Sequence, residues 1–96
     1  KAALNAYIRG ISVPLAVYGI RINGVAPGNI LFEGSVWDRK LKQDALIVED
    51  ILSDCVPLQR LGSPVDVANF VLWLSSPVSS FVTGSIHITD GGQTHT

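Results

Sequence analysis

The run from Val67 to Leu74 constrains this chain more than any other stretch. Ser63-Pro64-Val65-Asp66 opens it with an N-cap hydroxyl, a proline at the first helical position and an acid placed to accept from the cap backbone. Pro77 stops the helix at about Ser75. Between them only Asn69 is polar, so the helix is apolar on every side, and such a helix is buried on every side. A chain of 96 residues is too short to do that alone, since a fold near this size buries only roughly 60–65% of its unfolded surface. One side of the helix is therefore expected to meet something outside this fold. Composition agrees: 47% of residues are hydrophobic and 16% charged, against about 25% charged in ordinary soluble domains.

The other elements follow from periodicity. From Lys1 to about Tyr18 the spacing of Leu4, Ile8, Ile11 and Leu15 predicts a helix, with Pro14 pressing on the adaptable Gly10 and Gly19 placed as a left-handed cap. Residues 20–26 are short and β-branched and end at Pro27-Gly28, which reads as a buried strand. The charges concentrate in residues 33–54, where Ala45, Val48, Ile51 and Leu52 form one stripe of one or two short helices. Residues 85–89 alternate like a second strand, and Asp90-Gly91-Gly92 turns the chain. A strand, a crossover helix and a strand make a parallel α/β unit, and two such strands alone form an incomplete sheet.

Several function classes drop out. The net charge of −1 gives no footprint for nucleic acid. No apolar run reaches 18 residues, so no membrane span is expected. Cys55 is the only cysteine, and His87 and His95 have no partner at ligand spacing, so no disulfide and no metal site are expected. No glycosylation acceptor is present, and the expected location is cytoplasmic. The chain opens on Lys1 in what reads as mid-helix and contains no methionine, which predicts a fragment of a longer protein.

Six segments stand in a telling order: Lys1-Ala2-Ala3-Leu4, Tyr18-Gly19-Ile20-Arg21-Ile22-Asn23, Val25-Ala26-Pro27-Gly28-Asn29-Ile30, Arg60-Leu61-Gly62-Ser63-Pro64, Val82-Thr83-Gly84 and Asp90-Gly91-Gly92. Together they resemble the C-terminal part of a short-chain dehydrogenase/reductase, similar to the 3-oxoacyl-carrier-protein reductases. The resemblance covers the whole chain. It implies the C-terminal portion of a Rossmann-type parallel sheet, with strands at about 20–26 and 85–89, and with the dinucleotide-binding half outside residues 1–96.

The resemblance also implies roles. Lys1 matches the lysine of the Tyr-x-x-x-Lys motif, where the ammonium lowers the tyrosine pKa and holds the nicotinamide ribose. Pro27 and Gly28 would lie beside the nicotinamide of NAD or NADP, with the Ile30 backbone on its carboxamide. Phe32 stands where the family often has threonine, so that contact does not carry over. Residues 33–54 match the substrate lid by position, with Phe32 and Trp37 as candidate contacts for a small carbonyl or alcohol substrate. Asp38, Arg39 and Lys40 read as a solvated face.

Two functions stay open on sequence. One is part of an NAD(P)-dependent oxidoreductase, inactive as these 96 residues alone and assembled as a homo-oligomer, a tetramer or dimer. The other is a non-catalytic piece that contributes only assembly surfaces.

Overall fold

A computed structural model describes residues 1–95, the side chain of His95 excepted. Helix α1 runs Ala2–Ala16, strand β1 Gly24–Pro27, helix α2 Val36–Gln43, helix α3 Ala45–Cys55, helix α4 Pro64–Ser75 and strand β2 Ile86–Thr89. Short 3₁₀ turns follow α4 at Pro77–Ser79 and β2 at Gln93–His95. Strands β1 and β2 pair in parallel, with Gly24 opposite Ile86 and Pro27 opposite Thr89. This is the incomplete α/β sheet expected from the sequence.

The two long helices lie on opposite faces of that sheet. A Cβ on Gly24 would stand 2.8 Å from Ile86 Cδ1 and 3.0 Å from Ile8 Cδ1, so α1 packs where Ile86 points. Phe70 meets the next residue, His87, edge-on at 5.2 Å between ring centroids, which puts α4 on the other face because successive strand residues alternate. Pro14 sits inside α1 without ending it, and Gly19 takes φ +71° beyond its end.

Two boundaries differ from expectation. Helix α1 ends at Ala16 rather than near Tyr18. Strand β1 begins at Gly24, not at Ile20. The reason is a competing set of bonds. Arg21 donates to the carbonyls of Leu74, Ser76 and Val82. Ile22 N–H donates to Thr83 Oγ1, Gly84 N–H donates to the Ile22 carbonyl, and Asn23 bonds Val82 and Ser85. Residues 21–23 are thus tied to the loop before β2 rather than to a ladder, while Ile20 N–H bonds back to the Leu15 carbonyl. In α4, Phe70 and Trp73, at i and i+3, stack with centroids 5.8 Å apart.

The core is thin. Ile8, Val48, Val56 and Leu74 are the buried apolar side chains among the described residues. Leu72, Val65, Val71 and Trp73 of α4 are exposed, which matches the unpartnered face that its sequence predicts. The radius of gyration is 16.2 Å, against about 13 Å for a compact chain of similar length. The elements are laid out as an open layer. No helix among the described residues is long and apolar enough to cross a membrane.

Candidate active site

The segment after β1 is fixed from both sides. Gly28 N–H donates to the Thr89 carbonyl at 3.0 Å, extending the ladder by one bond. Leu31 N–H donates to the Gly62 carbonyl at 2.8 Å, and Gly62 N–H donates to the Asn29 carbonyl at 2.9 Å. This isolated parallel bridge leaves the N–H and carbonyl of Ile30 itself pointing away from Gly62, with no hydrogen bond among the described residues. Gly62 immediately precedes the α4 cap. Ser63 Oγ accepts from Asp66 N–H, and Asp66 Oδ2 accepts from Ser63 N–H, the capping box read from sequence.

Arg60 locks that cap with two guanidinium bonds to Asp66, at 2.8 and 3.2 Å. The Arg60 bonds, then the Ser63 N–H, hold the Asp66 carboxyl well below its ordinary value of 3.8.

Two cavities open on either side of Pro27 and Gly28. The first, of about 540 Å³, lies between α1 and the sheet and is lined by Lys1, Asn5, Arg9, Asn29, Asp90 and Thr94 among others. Lys1, Asn5 and Arg9 share one helix face at successive i, i+4 spacings. The second, of about 420 Å³, is lined by Pro27, Gly28, Ile30, Phe32, Ser35, Val36 and Trp37. The structure therefore brings Lys1 to the same Pro27–Gly28 wall as Ile30, Phe32 and Trp37, but in separate chambers. The sequence reading missed Asn5 and Arg9, whose helical register with Lys1 was the available signal. It also missed Val36, which the N-cap before it would have placed.

Local hydrogen bonds shape the second cavity. Ser35 is buried and caps α2; its Oγ accepts from Phe32 N–H at 3.3 Å and Asp38 N–H at 3.1 Å. Gly34, at φ +80°, donates to Asp38 Oδ2 at 3.0 Å. That bond, with the Lys42 ammonium at 3.2 Å, keeps the Asp38 carboxyl below its ordinary value. Lys40 Nζ stands 4.6 Å from the centre of the Trp37 ring. The stretch 38–40, read as a solvated face, thus also braces the turn. No cluster of metal-ligating side chains exists among the described residues.

The residues present fit a nicotinamide. A carboxamide needs one donor and one acceptor, and Ile30 offers both from its backbone beside Gly28. The site also lies past the carboxyl end of a parallel strand, where open α/β sheets bind ligands.

A family profile described as enoyl-(acyl carrier protein) reductase matches residues 1–94. The chain is 40% identical to isoepoxydon dehydrogenase patN of Aspergillus clavatus over 94 residues, covering 96% of this chain and 35% of that protein. It is 38% identical to 7alpha-hydroxysteroid dehydrogenase of Escherichia coli K12, covering 96% of this chain and 34% of the relative. The solved structure of ElxO with NADP bound superposes with a TM-score of 0.83 at 32% identity, covering 99% of this chain and 37% of that one. The chain spans about a third of the length of the curated relatives it matches.

Proposed function

The chain belongs to the short-chain dehydrogenase/reductase family, and from that premise we propose that it forms the C-terminal third of an NAD(P)-dependent oxidoreductase acting on a small carbonyl or alcohol. The dinucleotide-binding half and the catalytic tyrosine would come from the rest of that enzyme. One observation carries the reading: Pro27 and Gly28 form a wall common to the Lys1 cavity and to the cavity of Phe32 and Trp37. The NADP-bound relative and the free Ile30 backbone pair support the choice of cofactor.

When bound, the nicotinamide supplies the hydride for a carbonyl carbon, or accepts one from a carbinol carbon. The chain's own residues do the rest. Ile30 N–H and carbonyl would hold the carboxamide, and Pro27 and Gly28 would let the ring approach because neither projects a long side chain. Lys1 Nζ would hold the nicotinamide ribose and would lower the pKa of a tyrosine hydroxyl four residues upstream. In reduction such a hydroxyl would give its proton to the substrate oxygen, the bound cofactor supplying the hydride. Residues 33–54 form the lid, with Phe32 and Trp37 against the substrate.

These 96 residues alone would be inactive, since the proton donor and the dinucleotide loop lie elsewhere. The exposed face of α4 supports a homo-oligomer, dimer or tetramer. The full-length protein should bind NADH or NADPH in a fluorescence titration and oxidise one of them with a carbonyl substrate. Failure to bind either nucleotide would leave the assembly-piece reading in its place.

A further inference from the structure

We propose that the substrate has an apolar, ring-sized body that seats on Phe32, Val36 and Trp37 and turns its reacting oxygen toward the Pro27–Gly28 wall; this rests on the oxidoreductase reading above. The two chambers differ in chemistry although they share that wall. The Lys1 cavity carries charge, with Lys1, Arg9 and Asp90 beside the amides of Asn5, Asn29 and Gln93. The cavity of about 420 Å³ has no charged side chain on its wall, and its size is that of a pocket for a small molecule.

Its polar groups are few: the Ser35 hydroxyl, the Trp37 indole N–H and the Ile30 backbone pair. Ser35 is buried, and its Oγ accepts from the Phe32 and Asp38 N–H groups of its own turn. The Trp37 indole N–H is a donor only. The Ile30 backbone pair matches the carboxamide. Lys40 is held on the Trp37 ring and lines a different small cavity with Asp44 and Ile47, so its charge steadies the indole without entering the chamber. Phe32 is 54% and Val36 52% exposed. Isolated exposed apolar residues mean little, but three converging on one concave wall beside polar groups have the composition of a ligand pocket.

A substrate rich in hydroxyls would lose water on this wall and find almost nothing to replace it. A flat or alicyclic body would instead bury its surface against two aromatic rings and a valine. The cavity thus selects ring ketones, or the matching alcohols, over sugars and polyols.

The test compares 2-decalone with the ketohexose tagatose in the full-length protein. Two readouts are needed: NAD(P)H oxidation, and calorimetric binding of 2-decalone to protein saturated with oxidised cofactor. The expected kcat/KM favours 2-decalone by at least about 100-fold. Trp37→Ala, or Phe32→Ala should the first variant melt early, should shrink that ratio about tenfold through KM and weaken 2-decalone binding by a like factor. Equal or better turnover of tagatose, or an unchanged ratio in both variants, would overturn the inference. Binding of 2-decalone that depends on Trp37, without oxidation of either cofactor, would uphold the pocket and overturn the redox reading. Absence of both binding and turnover would overturn the two together.

Discussion

Gly28 lies so close against Asp90 that a Cβ on it would stand 2.5 Å from the Asp90 Cβ and 2.8 Å from its Cα. Asp90 cannot withdraw freely, since its carboxylate accepts from Gly92 and Thr94 N–H, both at 2.9 Å. The contact joins the end of β1 to the turn after β2 in the wall of the Lys1 cavity. Gly28→Ala should cost about 1–3 kcal/mol through overpacking, read as a lower urea midpoint. It should also weaken nucleotide binding. A variant with wild-type stability and affinity would show that the wall is softer than this packing requires.

Arg21 is the second tie. Its guanidinium donates to Leu74 and Ser76 at the end of α4 and to Val82 in the loop before β2. Arg21→Met keeps much of the stem and removes every charged donor, leaving those carbonyls only their neutral partners on Ser79 and Asn23. The expected loss is about 2–3 kcal/mol, with Arg21→Lys recovering little because one ammonium cannot reproduce the planar fork. Equilibrium unfolding of the three proteins checks this.

What could be read from sequence was what is local. Ser63, Pro64 and Asp66 specify a helix start within four residues, and the structure reproduces the cap in full. Gly19 and Gly91 occupy the left-handed region that their turns require. The start of β1 was not legible, because Ile22 and Asn23 bond with residues about 60 positions away. The joining of Lys1 to Pro27 was implied only by family resemblance; no periodicity relates them. Nor did the charges of Asp38 and Lys40 disclose that one caps a turn and the other rests on Trp37.

The Arg60–Asp66 pair makes stability depend on acid. The folded Asp66 carboxyl titrates below its ordinary 3.8, so the folded form binds its proton less readily than the unfolded form. Its stabilising contribution is complete above the unfolded value and is lost as pH falls toward the depressed folded one. Asp66→Asn should therefore lower Tm at pH 7, and the gap to wild type should narrow below about pH 4. A gap that stays constant from pH 7 to pH 2.5 would contradict this assignment. Ser63→Ala, removing the other half of the cap, should cost about 1 kcal/mol.

Assembly should depend on α4 residues that face outward. Leu72 is 70% exposed, whereas Phe70 is held between Trp73 and His87. Leu72→Glu in the full-length protein is expected to shift light-scattering mass toward smaller species with little change in secondary structure. Phe70→Glu should instead destabilise the fold itself. A monomeric wild type would refute the interface role of this face.

If Lys1 serves the nicotinamide side of the Pro27–Gly28 wall, as proposed, the pH profile of turnover depends on it. Full-length wild type and Lys1→Ala should be compared from pH 5 to pH 10 with saturating cofactor. Loss of the ammonium removes the charge that lowers the tyrosine pKa, so kcat should fall by at least about 100-fold and the profile should move to higher pH. Nucleotide affinity should fall as well, through the lost ribose contact. A Lys1→Ala enzyme with unchanged kcat, pH profile and cofactor affinity would contradict the account.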